Sequence, residues 1–150
     1  MSANFISQLP SKAKLWAAHA LAGIIIADGV VSESELEILR DSISFLDHLD
    51  DVNQIVNMVK NRQVPNLEVL RCDRKLACNL LMSLAMVALS DGNLSGYETK
   101  YFVTVAGKLG FEPRYSHAVM EWGREYIKLN NRKKGLIELG LKLQPVYVNF

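Results

Sequence analysis

At 150 residues and 49% hydrophobic content, the chain is long enough to bury a core and is most economically one domain, 1–150. A net charge of +1 with 8% aromatic residues lacks the strong positive face and stacking aromatics that nucleic-acid binding needs, so no nucleic acid is expected as partner. Residues 1–10 have no basic start, apolar segment or small-residue cleavage site, so no secretory signal is read.

The pattern predicts a first helix over residues 12–28, with Ser11 as N-cap after Pro10. Gly29 ends it in the left-handed conformation. Ser32 caps a second helix and Glu35 follows at the capping-box spacing, while Leu36, Leu39, Ile43 and Leu46 form its buried stripe. Asp50 or Asp51 caps a third, whose apolar face is Val52, Ile55, Val56 and Val59, and Pro65 lies beyond its end. The next helix starts near Asn66 or Asp73 and runs to Ser90, turning at Asp91-Gly92. Ser95 and Glu98 repeat the capping box, and Tyr101, Phe102, Val105 and Leu109 make a stripe closed by Gly110. Glu112-Pro113 opens a helix carrying Tyr115, Val119, Trp122, Tyr126 and Leu129. Arg132, Lys133 and Lys134 with Leu136, Leu139 and Leu143 predict a separate short last helix, followed by an apolar end at 146–150. No alternating strand pattern persists, so the fold class is all-α, with about six or seven helices.

Two apolar runs, 15–27 and 76–89, stand out. At about 1.5 Å per residue each spans roughly 20 Å, short of a bilayer core of about 30 Å. They are expected to be core helices that pack against each other. Cys72 and Cys78 have neither redox nor zinc-ligand spacing and read as reduced, packed thiols that suit the cytoplasm. His19, inside the first run, reads as a satisfied core or boundary histidine. Charge is uneven: residues 28–51 hold eight acids against Arg40 alone, a negative surface fit for cations or a basic partner.

The feature that organises the chain is a repeat. Asp28-Gly29-Val30-Val31-Ser32-Glu33-Ser34-Glu35 and Asp91-Gly92-Asn93-Leu94-Ser95-Gly96-Tyr97-Glu98 share the pattern Asp-Gly-x-apolar-Ser-x-x-Glu, 63 residues apart. Each copy follows an apolar run and precedes an amphipathic stretch, which predicts two related units, about 12–62 and 66–130, with a tail at 131–150. Set against a calcium EF-hand loop, the Asp, Gly, Ser and Glu fall at positions 5, 6, 9 and 12. Positions 1 and 3 become Ile24 and Ile26, or Val87 and Leu89, which cannot ligate a hard cation. Only a half-loop remains, beside a helix N-terminus whose dipole disfavours a cation. The same Ser and Glu residues also suffice as helix caps.

At these motifs, and in the later segment Ala106-Gly107-Lys108-Leu109-Gly110-Phe111, the chain resembles the TerB-like family: the tellurite-resistance protein TerB and the N-terminal region of DjlA-type membrane co-chaperones. The resemblance covers roughly residues 12–130. It implies an all-helical, internally pseudo-symmetric domain without catalytic activity, whose acids Asp28, Glu35, Asp91 and Glu98 bind a divalent cation: calcium, magnesium, manganese or zinc. It also implies a stress-response setting beside protein partners, in the cytoplasm or peripherally at the inner face of the membrane. The second motif departs from the family by placing Gly96 and Tyr97 where further acid would help, and tellurite resistance itself does not follow. A protein-interaction scaffold is the first expectation, a weak cation site the second, and an enzyme without a recognisable motif the last.

Overall fold

The computed structural model describes residues 6–27, 29, 31–89 and 96–148. Among them are six helices and no strand: α1 (Ser11–Ile26), α2 (Glu33–Ser42), α3 (Leu49–Lys60), α4 (Arg74–Ala88), α5 (Gly96–Lys108) and α6 (Pro113–Lys142). The all-α expectation is met. Among the described residues no helix is long and apolar enough to cross a membrane.

Helix α1 lies at the centre. Ten of its residues are buried, from Ala13 to Ile26, and it packs against α2, α3, α4 and α5. Its composition explains this: Ala17, Ala18, Ala20 and Ala22 let neighbours approach closely, while Leu21 and Ile24 fill the space between them. The two apolar runs do pack against each other, as α1 on α4. The closest approach is at Gly23, where a Cβ would stand 2.3 Å from the Tyr101 ring of α5. Burial against this helix pushes the Tyr101 phenol pKa up.

Helix ends follow the sequence in some places and depart from it in others. Gly29 has φ +76° and its amide donates to Ile26 O at 3.0 Å, closing α1 as expected. Ser32 caps α2, and Asp73, one of two expected starts, caps α4 by accepting from the Leu76 amide at 2.8 Å. Ser11, however, is the first residue of α1 rather than its cap, because Pro10 takes the cap position and supplies the carbonyl for the Lys14 amide. Its hydroxyl instead donates to Asp47, and Lys14 joins at 2.9 Å. These two partners, the hydroxyl first, hold the Asp47 pKa down. His48, not Asp50 or Asp51, precedes α3; both acids sit in its first turn, where they favour the positive end of the dipole.

The C-terminus of α5 is the most fully satisfied end. Gly110 has φ +86°, and the Gly110 and Phe111 amides bond back to Gly107 O and Ala106 O, the Schellman arrangement. The remaining carbonyls are met from outside the helix. The Leu70 amide donates to Lys108 O at 3.0 Å, and the Arg74 guanidinium donates to Leu109 O and Gly110 O while lying 4.3 Å over the Phe111 ring. Phe111 stacks on Tyr115, whose phenol pKa is raised by a hydrogen bond with Cys78 and then by burial. Cys72 and Cys78 are both free and half-buried, and burial followed by the Asp73 charge pushes the Cys72 thiol up, so it stays protonated.

The last helix corrects the sequence reading most. The expected break near Arg132 is absent: α6 is one helix of 30 residues, about 45 Å long at the helical rise. No proline interrupts it, and the Lys, Arg and Leu run after Asn131 propagates a helix well. It docks on α4 and α5 through Ser116, Val119, Met120 and Gly123, with Leu89 Cδ1 only 2.6 Å from where a Gly123 Cβ would be. Beyond half-buried Ile127, every described residue from Lys128 onward is exposed. Tyr126, Leu129, Leu136, Leu139 and Leu143, which share helical spacing in the sequence, face solvent.

The Gly23–Tyr101 approach makes a sharp prediction. Gly23→Ala gains helix propensity of about 1 kcal/mol but forces the ring to move, and overpacking of this kind costs about 1–3 kcal/mol. Urea unfolding is expected to show a net loss. In a Tyr101→Ala background the clash is gone, and the same Gly23→Ala change should stabilise by up to about 1 kcal/mol.

Candidate functional site

The four carboxylates singled out by the repeat divide in two. Asp28 and Asp91 lie outside the described residues, as does Ser95 of the second capping box. Glu35 and Glu98 are described, each half-buried in the first turn of its helix, α2 and α5.

Glu35 is held as a cap residue. Its amide donates to Ser32 Oγ at 3.2 Å, and the Ser32 hydroxyl lies 3.2 Å from Glu35 Oε1 as donor, with Ser34 Oγ at 3.1 Å. The return leg of the box thus runs through the hydroxyl. Both carboxylates also sit at helix N-termini, where the dipole favours negative charge. Capping is therefore a sufficient structural reason for Glu35.

The fold nevertheless brings the two together. Glu35 and Glu98 line one small cavity, about 30 Å³, between the α1–α2 and α4–α5 pairs. Its floor is apolar, with Ile24 and Ile25 from α1 and Val87 from α4, and Ser42 adds a hydroxyl. That volume exceeds the roughly 10–15 Å³ one water needs, so a water or two fits. Two carboxylates over an apolar floor favour a cation. The donor set is short, however. Calcium takes about six to eight oxygens, and the described residues around the cavity offer two carboxylates and one hydroxyl. Among the described residues no group of three or more His, Cys, Asp or Glu side chains converges to hold a metal ion.

His19 behaves as expected of a boundary histidine: half-buried, its Nδ1–H donates to Leu15 O at 2.9 Å. It borders a larger cleft of about 270 Å³ between α1 and the irregular segment 63–73, together with Lys12, Trp16 and Glu68. Trp16 spans that boundary by donating from Nε1 to Glu68 O at 2.7 Å, which ties the segment to α1.

A second feature was only half visible in the sequence. From Lys128 onward α6 stands free of the helical body and carries Leu129, Leu136, Ile137, Leu139, Leu141 and Leu143, with Leu141 81% exposed. Val146, Tyr147 and Val148 continue the apolar surface, Tyr147 being 94% exposed. The leucines at 136, 139 and 143 were legible as a stripe. What periodicity could not supply was that nothing among the described residues covers them. No family model, curated protein or solved structure matches the chain.

Proposed function

We propose that this chain is a non-enzymatic, TerB-like protein-interaction module, built from two pseudo-symmetric helical units and docking through the free half of α6. The free arm is the observation that carries the reading. A monomer rarely leaves so long a run of large apolar side chains in water unless a partner covers it. The duplicated Asp-Gly-x-apolar-Ser-x-x-Glu turns, and the recurrence of helix, turn, helix, helix along the chain, support the family assignment. A cytoplasmic, stress-related role beside other proteins follows from that assignment.

A photo-crosslinking amino acid placed at Leu139, with a control at exposed Thr104 of the body, tests the reading in the cells of origin. Cross-links from position 139 and few from 104 are expected. An arm that gives no more adducts than the control would overturn the docking role.

The shared cavity favours a second reading, in which Glu35 and Glu98 bind a divalent cation weakly; the repeat makes Asp28 and Asp91 the further candidate ligands. Calorimetric titration of metal-stripped protein with calcium, magnesium, manganese and zinc checks it. Saturable binding to one of them, lost in Glu98→Gln and in Asp28→Ala, is the expected result; flat traces with all four would leave these acids as caps.

A further inference from the structure

Resting on the reading of α6 as a docking element, we propose that its occupant is a second copy of this chain: each arm lies on the acidic α2–α3 surface of the other. The two surfaces complement each other in charge. Residues 126–148 hold five bases, Lys128, Arg132, Lys133, Lys134 and Lys142, against Glu138 alone. The α2–α3 region presents Glu33, Glu37, Asp41 and Asp50 as exposed acids, whereas Asp47 is already engaged by Ser11 and Lys14.

They also match in apolar content. Leu49 stands 73% exposed within the acidic surface, next to half-buried Phe45 and Leu46. Helices α2 and α3 pack on one another, so one helix pair carries both the acids and Leu49. The arm is long enough to lie along that pair on another molecule, because Lys128 to Lys142 extends roughly 22 Å at the helical rise.

The distribution of side chains around the arm separates this partner from a lipid surface. At about 100° per residue, Leu136, Leu139 and Leu143 fall on one side, and Ile137 and Leu141 on nearly the opposite one. Bases are interleaved: Arg132 shares the first side, Lys134 the second, and Lys133 lies between. A helix lying in a membrane interface needs a single apolar face opposed to a single basic one. An arm with apolar and basic residues mixed on two sides does not meet that requirement. Among the described residues the arm is uncovered and the acids are exposed, so neither surface covers the other within one molecule. Two copies related by a twofold axis satisfy both at once, each arm meeting one acidic surface.

Charge reversal tests this. Sedimentation equilibrium over a concentration series should give a dimer for the wild-type chain that weakens with salt. K133E/K134E and E37K/D41K should each raise the dimer dissociation constant by at least about tenfold, since each sets like charges against each other at both contacts. Mixing the two variants should restore a one-to-one heterodimer, because both contacts are then complementary. Circular dichroism confirms that each variant is folded. A wild-type chain monomeric throughout, variants that dimerise as the wild type does, or a mixture that fails to pair would each overturn the inference. So would a monomer that instead sediments with phosphatidylserine vesicles. A monomer whose position 139 still cross-links to a different protein would sink the second-copy partner and leave the docking reading standing; absence of any cross-link would remove both.

Discussion

The contact of α1 with four other helices is the constraint on which the rest of the molecule depends. A helix apolar on most of its circumference cannot face water, and each large aliphatic side chain it buries contributes about 1.5–3 kcal/mol. Small residues along α1 then determine how closely α2 to α5 approach. Gly23 against Tyr101 is the tightest case, and it fixes α5 in rotation and register. That placement in turn sets Glu98 on the same cavity as Glu35. Glu35 and Glu98 are thus brought together by the packing of apolar helices rather than by attraction between polar groups.

Helix α6 is bound to the same logic over its first half and released from it in the second. Ser116, Val119, Met120 and Gly123 fit the α4–α5 surface, and the body ends where Ile127 leaves it. Propensity carries the helix onward although every described residue beyond Ile127 is exposed. Isolated helices of this length are marginal in water, so a free arm gains order by being covered. The apolar and basic residues along it give that covering surface a definite chemistry. The acidic, leucine-bearing α2–α3 face has the opposite one.

Much of the architecture was legible in the sequence because the signals were local. Gly29 and Gly110 adopt the left-handed conformation their positions require, Ser32 and Asp73 cap the helices they precede, and the α3 stripe Val52, Ile55, Val56 and Val59 is buried throughout. The misreadings were contests between neighbours. Pro10 outcompeted Ser11 as the residue before α1, and His48 displaced the aspartates that follow it. The continuity of α6 was hidden because the Arg132–Lys134 run and the leucine stripe after it read as a new helix, yet no proline breaks the one before them. Periodicity identifies which side chains share a face. It carries no information about whether another element arrives to cover that face: Val119 is buried, whereas Tyr126 and Leu129, in the same spacing, are exposed. The Glu35–Glu98 cavity was equally out of reach, since a repeat spacing of 63 residues does not by itself imply proximity.

The pairing of arm and acidic face is the claim that gives this fold a function, and amide hydrogen exchange measured across a concentration series tests it most directly. Protection should rise in residues 128–142 and in residues 33–51 together, over one concentration range, while the α1 amides remain protected throughout. An arm that exchanges freely at every concentration, or becomes protected without a matching change in α2 and α3, would contradict the account.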